Sequence, residues 1–302
     1  MIELIKNTNI DFMGKRVYAF IFSGILTLIG IFAIVQVARG TANLGVDFAG
    51  GTAVQVKFAK SVPLHEVRLA LEEGGMKDFD LQDLPTENKI LVRVKKQEEK
   101  LGGFSDKISQ LLSKKFSDKM PVIDSVTEIG PKVGAKLRED ALWATVMAIA
   151  GILIYVAFRF QIRFGIGATV ATFHDVTAVL GIFYLLDKEI NLILLSALLT
   201  IAGYSLTDTV VVFDRIRENI KKFLKDPIET VINKSINEVL SRTIVTSLTV
   251  LFASLALFFF GGEVIHDFAL AMLLGVTIGT YSSVFIASPV VILLGKAMKV
   301  KK

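Results

Sequence analysis

Long runs of apolar residues dominate the pattern along the chain, and six of them are long enough to cross a bilayer. A helix needs about 20 mostly apolar residues to cross the hydrocarbon core. The six runs are Val17–Ala38, Ala141–Phe158, Phe164–Leu186, Ile190–Phe213, Thr243–Gly262 and Phe268–Gly295. The pattern therefore predicts an α-helical polytopic membrane protein with six transmembrane helices.

The first run follows a basic pair, Lys15 and Arg16, which is the arrangement found at the start of a signal peptide. This run is longer than the roughly 7–15 apolar residues of a signal-peptide core, and no small-residue cleavage site follows it. We therefore expect a retained anchor at 17–38, preceded by a cytoplasmic segment at 1–16.

Between the first and second runs lies the only long polar segment, residues 39–140, where the apolar spacing changes. Alternation with period two predicts strands, and spacing of three to four predicts helices. The predicted elements are a strand at Thr52–Phe58, a helix at Leu64–Glu73, strands at Phe79–Leu84 and Ile90–Val94, a helix at Phe104–Phe116 and a strand at Val122–Ile129. This β-α-β-β-α-β order indicates a small α/β ferredoxin-like domain.

Composition and charge agree with a membrane protein. Of the 302 residues, 52% are hydrophobic and 21% are charged, which is too apolar for an ordinary soluble domain. Lys and Arg concentrate at both termini and in the loops after the second and fourth runs, whereas the two short opposite loops contain only Lys188. By the positive-inside rule both termini are predicted to be cytoplasmic and residues 39–140 extracytoplasmic. The net charge of +5 is thus a topology signal and indicates no nucleic-acid partner.

The remaining domain boundaries follow from the same pattern. Residues 141–295 contain the second to sixth helices, and 296–302 form a cytoplasmic tail. Within the helical region, 214–242 is an amphipathic cytoplasmic loop with an apolar stripe on each side of Asp226 and Pro227. Because a proline at the first helical position starts a helix well, we expect two short helices that lie at the membrane surface.

Few ionisable side chains lie inside the predicted crossings. His174 and Asp175 are in the third, Asp208 is in the fourth, and Arg242 opens the fifth. Such residues are costly in lipid and are candidates for function by default. Asp208 lies roughly 9 Å inside the cytoplasmic end of its helix at 1.5 Å per residue, so the long side chain of Arg242 is its expected partner.

The residues alone leave three interpretations of Asp208 open. It could form a fixed salt bridge with Arg242, it could take up and release a proton, or it could bind sodium with help from neighbouring hydroxyls. Desolvation raises the pKa of a carboxylate and a nearby arginine lowers it, so a site between these limits can titrate. The sodium interpretation draws on Ser205, Thr207 and Thr209.

The sixth run carries small residues every four positions, a spacing that predicts a face for close helix packing in lipid. These residues are Ala271, Gly275, Gly279, Ser283 and Ala287. We expect the face to pack within this chain, with a partner subunit as the alternative. The chain has no cysteine, its three histidines are far apart, and it contains no Walker-type phosphate loop, so we expect no metal, no cofactor and no ATP site.

Six short motifs, in order along the chain, resemble those of the SecD/SecF family of bacterial protein-export membrane subunits. The motifs are GVDFAGGT (Gly45–Thr52), HD (His174-Asp175), GYSLTDTVVVFDRIREN (Gly203–Asn219), RTIVTSLT (Arg242–Thr249), FGG (Phe260–Gly262) and GTYSS (Gly279–Ser283). In the first motif we single out Gly45, Asp47, Phe48, Gly50, Gly51 and Thr52 as the root of the outer domain. Thr207 and Val250 depart from residues common in the family.

The resemblance implies a place in the RND superfamily, without enzymatic activity. SecD and SecF use the proton motive force to assist late export through the SecYEG channel. The resemblance assigns a proton-relay role to Asp208 with Arg242, and adds His174 and Asp175 to the relay as a pair on the third helix. It also implies a cell-membrane location and, as partners, SecD, SecYEG, unfolded preprotein and membrane lipids, with YajC and the YidC insertase as further candidates.

Two other functions remain as alternatives. A complete RND exporter of lipids or small molecules has two six-helix halves, so this chain would supply only one. A passive scaffold of the translocase would tolerate loss of the charge at Asp208, whereas an ion-driven subunit would not. Protons are the expected coupling ion, with sodium as the alternative.

Overall fold

A computed structural model of the chain describes residues 8–76, 79–84, 88–94, 103–159 and 161–299. Parts of the predicted terminal segments, residues 1–7 and 300–302, lie outside the described residues. The chain divides into two compact units, one formed by Met1–Asn43 with Trp143–Lys302 and the other by Leu44–Leu142. The first is helical and the second contains the only sheet in the described ranges.

The elements run in this order. The helices are α1 (Arg16–Arg39), α2 (Val46–Ala49), α3 (Leu64–Glu73), α4 (Phe104–Lys115), α5 (Pro131–Arg159), α6 (Ile162–Leu185), α7 (Leu192–Lys222), α8 (Ile228–Phe260), α9 (Gly262–Ser282) and α10 (Ser288–Lys299). The strands are β1 (Gly51–Lys57), β2 (Phe79–Leu84), β3 (Lys89–Val94) and β4 (Val122–Ile129). A π-helical segment, Ser283–Ala287, joins α9 to α10.

Six helical segments in the described ranges are long and apolar enough to cross a membrane. They are Arg16–Arg39, Pro131–Val156, Ile162–Leu185, Leu192–Lys222, Ile228–Phe260 and Ile265–Leu294. Each overlaps one of the six predicted runs. The ends have local causes: Gly40 closes α1 in a left-handed conformation, and the Asn191 side chain caps α7 by accepting the Leu194 N–H at 3.0 Å.

The smaller unit is a four-stranded antiparallel sheet in the order β2-β3-β1-β4. With α3 between β1 and β2 and α4 between β3 and β4, this is the ferredoxin-like arrangement predicted from the sequence. Alternate strand residues such as Val54, Val56 and Val92 pack with Leu71 and Leu112 of the helices in a separate hydrophobic core. The period-two alternation of β1 produced this one-sided burial.

The GVDFAGGT motif packs tightly at the start of α5. Gly50 and Gly51 both have positive φ, at 73° and 132°, which side chains other than glycine adopt with strain. A Cβ at Gly50 would lie 3.0 Å from the Cα of Pro131, and one at Gly134 would lie 3.0 Å from the Gly50 nitrogen. Gly51 is therefore required by its backbone angle, and Gly50 both by its backbone angle and by the close approach of α5.

In the helical unit, α6, α7 and α9 pack together as the central helices. Small residues permit their close contacts, since a Cβ at Gly275 would lie 2.4 Å from the Ile201 side chain. Helix α1 lies against α6, where Gly30 meets the backbone of Thr177. At Gly275 and Gly279 the small-residue face of the sixth run thus packs against α7 of the same chain. In contrast, α5 is almost wholly exposed.

The prediction of a surface loop at 214–242 is wrong. In place of two short helices at the membrane surface, α7 continues to Lys222 and α8 begins at Ile228, so only 223–227 is a loop. The predicted apolar stripes exist, but Ile216 and Ile232 face the protein and are fully buried in its core. Asn219 also joins the two helices through the Ser235 hydroxyl, at 3.0 Å. Mutual packing of two apolar stripes satisfies them as well as a lipid surface does.

A short segment before α1, residues 8–15, lies across the beginning of α8, and we call it the N-terminal strap. Asn237 pairs with both backbone groups of Ile10, each at 3.0 Å. The Asn233 carboxamide oxygen accepts the N–H groups of Phe12 and Met13, also at 3.0 Å. Phe12 and Met13 are buried in the core of the unit. The strap is therefore an integral part of the helical unit.

Candidate functional site

Asp175 lies in the middle of α6 and is completely buried. Its carboxylate accepts hydrogen bonds from Ser205 of α7 and from Ser282 of α9, the latter at 2.7 Å, and Nδ1 of His174 lies 2.9 Å from the other oxygen. A Cβ at Gly279 would lie 3.6 Å from this carboxylate, so at that position α9 approaches it without a side chain. We call these residues the Asp175 cluster, and it joins three helices.

Asp208 lies on α7, three residues after Ser205, and is 5% exposed. The Ser247 hydroxyl of α8 donates to its carboxylate at 3.4 Å, which is long for a bond between oxygen atoms. The Ser247 hydroxyl in turn lies 2.6 Å from that of Thr280 on α9 and 3.5 Å from that of Tyr204. We call these residues the Asp208 cluster. It joins α7, α8 and α9.

Arg242 does not contact Asp208 in this conformation. Among the residues that the structure describes, no ion pair or hydrogen bond joins the two side chains, and Arg242 is exposed on α8. The α8 side chain that contacts Asp208 is instead Ser247, five residues after Arg242 on the same helix. Arg242 and Ser247 lie about 140° apart around α8, and the arginine is exposed whereas the serine is buried.

The hydroxyls proposed to help bind sodium do not gather at Asp208. Ser205 donates to Asp175, and Thr207 is exposed and donates to the Gly203 carbonyl at 3.1 Å. Thr209 is fully buried, and its hydroxyl has no hydrogen-bond partner within the described ranges. The histidine and acidic side chains of these ranges also form no group of three or more that could hold a metal ion.

Sequence reasoning missed three of the hydroxyls that complete the clusters. Ser247, Thr280 and Ser282 were visible only as parts of the RTIVTSLT and GTYSS motifs. Ordinary serines and threonines in membrane helices return their hydroxyl to the carbonyl four residues earlier, so sequence alone gives no reason to single these three out. The signal that would find them is their position on faces that meet the two acids.

A polar face of α7 and α8 is left exposed in this single chain. Gly203 and Thr207 on α7, and Arg242 and Thr246 on α8, lie beside the Asp208 cluster and are exposed to the surroundings. A Cβ at Gly203 would have no neighbour within 4 Å. Polar and small residues on a membrane helix usually face other protein, since lipid offers them no hydrogen bonds.

Comparisons with known families agree with the motifs. The family model described as protein export membrane protein SecD/SecF, C-terminal, matches residues 108–297, and the SecD/SecF GG motif matches residues 42–62. The second match contains Gly50 and Gly51, the two residues with positive φ.

Full-length relatives and solved structures give the same result. The chain is 62% identical over its whole length, and the whole of the relative, to the protein translocase subunit SecF of Thermodesulfovibrio yellowstonii, and 43% identical to that of Calditerrivibrio nitroreducens over 99% of this chain and 98% of the relative. A crystal structure of SecDF from Thermus thermophilus, a translocon-associated membrane protein, matches 96% of this chain with a TM-score of 0.86 and 35% identity, over 39% of its own length. The chain thus spans about two fifths of that SecDF protein. From its motifs, its full-length relatives and its fold, the chain belongs to the SecD/SecF family of protein-export membrane proteins.

Proposed function

We propose that this chain is an auxiliary subunit of the Sec protein translocase that uses the proton motive force, together with SecD, to promote preprotein export. The observation that carries the proposal is the state of Asp208. It is a buried carboxylate within a membrane-spanning helix, with one long hydrogen bond and no ion pair in the described part of the chain. A carboxylate in that position is costly when ionised, so its protonation changes what the surrounding helices prefer.

The mechanism follows from the two charge states of this side chain. When protonated, Asp208 is neutral and is compatible with the observed conformation, in which Arg242 is exposed and forms no ion pair with it. When ionised, it needs a positive partner or water, and Arg242 on the adjacent helix is the nearest candidate along α8. Binding and release of a proton would therefore alternate between an open and a paired arrangement of α7 and α8. Such a change in helix packing is the step that an ion gradient can drive.

A partner subunit is part of the proposal. The exposed polar face beside the Asp208 cluster needs a protein neighbour in the membrane. The SecDF protein of Thermus thermophilus contains more than twice the sequence that this chain matches, which supports a second half supplied here by SecD. A half of an RND-type exporter would need such a partner as well. The kind of cargo, preprotein or small molecule, therefore distinguishes a translocase subunit from an exporter.

The arrangement in the cell follows from the distribution of charge. We propose a multi-pass protein of the cytoplasmic membrane with both termini cytoplasmic, because Lys and Arg concentrate there. The ferredoxin-like unit would then be extracytoplasmic, where it can contact preprotein that emerges from SecYEG. Association with YajC and YidC is a further part of the proposal.

The experiment measures preprotein export and proton flux in vesicles that contain this chain with SecD and SecYEG. We expect Asp208→Asn and Arg242→Ala to abolish the export that depends on a proton gradient. Asp214→Asn is a matched control, since Asp214 lies on the same helix but forms an ion pair of 2.6 Å with Arg159 outside the cluster. Normal export by Asp208→Asn would refute the proposal in favour of a passive scaffold. Export that requires a sodium gradient instead would show that sodium is the coupling ion.

A further inference from the structure

The two acid clusters lie on opposite sides of one helix. Thr280 and Ser282 of α9 are two residues apart, so at 3.6 residues per turn their side chains point about 200° apart. Thr280 contacts Ser247 in the Asp208 cluster, and Ser282 contacts Asp175 directly. Asp175 and Asp208 share no direct contact, and α9 lies between their partners.

The acceptor to which the Thr280 hydroxyl donates depends on the charge of Asp208. A hydroxyl donates one proton, and Thr280 is placed to donate either to the carbonyl of Val276 at 2.8 Å or to Ser247. If Asp208 is ionised, Ser247 donates to it, and the contact between Ser247 and Thr280 requires Thr280 to be the donor. If Asp208 is protonated, it donates to Ser247, Ser247 donates to Thr280, and Thr280 donates to its own helix. The charge of Asp208 therefore sets the bonding of α9.

Ser282 makes the same kind of choice on the other side. Its hydroxyl lies 2.7 Å from the carboxylate of Asp175 and 3.1 Å from the carbonyl of Gly279 in its own helix. An ionised Asp175 accepts a hydrogen bond from this hydroxyl, whereas a protonated Asp175 is a weaker acceptor. Each of the two hydroxyls can therefore donate its hydrogen bond either to an acid cluster or to a backbone carbonyl of α9.

The packing of α9 allows a change on one side to reach the other. At Gly279 a Cβ would lie 3.3 Å from that of Ser205, so α9 has no side chain there to cushion a shift against α7. Directly after Ser282 comes the π-helical segment, whose looser winding is often found at functional sites. Helices bend at such segments, so this one can absorb a small change in the direction of α9. Helix α9, followed by a deformable π-helical segment, is a suitable element for a two-state change.

Resting on the proposed function, we propose that α9 couples Asp175 to Asp208, with Ser282 and Thr280 as positioning residues rather than proton carriers. The coupling is local to these helices. The other titratable or charged groups at the two acids are His174 beside Asp175, and Tyr204 and Arg242 beside Asp208; α9 contributes only hydroxyls. Protonation of either acid would therefore change the proton affinity of the other.

The test measures the protonation of Asp208 directly. Dicyclohexylcarbodiimide, a lipophilic reagent, modifies protonated carboxyl groups in membranes, and mass spectrometry identifies the modified residue. The full chain with SecD in vesicles would be labelled across a pH series. We expect Ser282→Ala and Asp175→Asn, which change only the distant cluster, to change the proton affinity of Asp208 by about fivefold or more, which is about 0.7 pH unit in the midpoint. Thr280→Val should shift the midpoint as well.

Thr277→Val is the matched control, because Thr277 is exposed on the same helix and donates only to the Leu273 carbonyl. It should leave the midpoint unchanged. If Ser282→Ala and Asp175→Asn leave the midpoint unchanged in folded protein while Thr280→Val shifts it, the clusters are independent and the coupling is refuted. This readout needs no export. Export that survives Asp208→Asn would therefore refute the proposed function without deciding the coupling, and the labelling would decide it.

Discussion

Asp175 and Asp208 are two buried carboxylates in neighbouring helices of one unit, and their surroundings differ sharply. Asp175 is completely buried and has hydrogen-bond partners from α6, α7 and α9. Asp208 accepts a long hydrogen bond from Ser247, has no ion pair among the described residues, and lies beside an exposed polar face. The difference suggests that Asp175 holds helices in place, whereas Asp208 is free to exchange its partner. An acid in a membrane helix is thus best interpreted through the number of its partners.

Removing Asp175 should have the largest effect on stability. In Asp175→Leu the Ser205 hydroxyl and the His174 ring lose the carboxylate inside the protein, and the Ser282 hydroxyl keeps only the Gly279 carbonyl of its own helix. Each buried polar group left without a partner costs about 1–3 kcal/mol, so we expect a loss of about 3 kcal/mol or more in the free energy of unfolding. Denaturation in mixed detergent micelles would measure it. Asp175→Asn keeps an acceptor oxygen and should lose less; an equal loss would mean that the hydrogen bonds are not the cause.

Gly279 is the position where α9 approaches the Asp175 cluster, so a larger side chain there should be the next most damaging. We expect Gly279→Val to cost about 1–3 kcal/mol, because the added atoms overlap Ser205. Gly203→Val provides the comparison beside the Asp208 cluster, where the isolated chain has open space. It should leave the isolated chain stable but weaken binding to SecD in co-purification. Equal destabilisation by both variants would contradict the difference between the two regions.

Asp208→Asn should change stability little, by less than about 1 kcal/mol, because the variant keeps an oxygen for the Ser247 hydroxyl and removes only a charge without an ion pair. The measurement is the same denaturation in micelles as for Asp175. A loss as large as that of Asp175→Leu would show that Asp208 is a structural anchor. Stability with loss of export would separate function from folding at this residue.

Asp11, in the N-terminal strap, offers an exposed carboxylate for comparison with the two buried ones. The Gly14 N–H and the Asn233 side chain donate to it at 2.9 and 2.7 Å, and they lower its pKa below the usual value of 3.8. A lowered folded-state pKa gives stability that is complete above pH 3.8 and is lost as pH falls through the folded pKa. We expect Asp11→Asn to remove this small acid dependence in thermal unfolding. An unchanged dependence would assign it to other carboxylates.

The sequence allowed much of the fold to be predicted, because hydropathy and period-two alternation are local signals. The six spans and the order of elements in the ferredoxin-like unit followed from them. The prediction for 214–242 was wrong because an apolar stripe indicates that something covers it but not what does. Ile216 and Ile232 are covered by the protein and not by lipid. Which surface meets a stripe is a property of the tertiary packing.

The candidate site shows the same limit. The four ionisable residues could be singled out because charges are rare in apolar helices, but their partners could not. Arg242 was the expected neighbour of Asp208 on grounds of charge, whereas Ser247 makes the contact. Ser205, considered as a neighbour of Asp208, faces Asp175 instead. Rotation of a helix about its axis decides such contacts, and the hydropathy of α7 does not determine that rotation.

The N-terminal strap has a consequence for the order in which the protein is made. The pairing of Ile10 with Asn237 joins residues 227 positions apart in the chain. During synthesis the strap emerges first and its docking site on α8 emerges after four membrane helices have been inserted. The strap therefore docks late, when the helical bundle is almost complete. An amino-terminal fusion that blocks residues 10–13 would delay this final folding step while leaving membrane insertion intact.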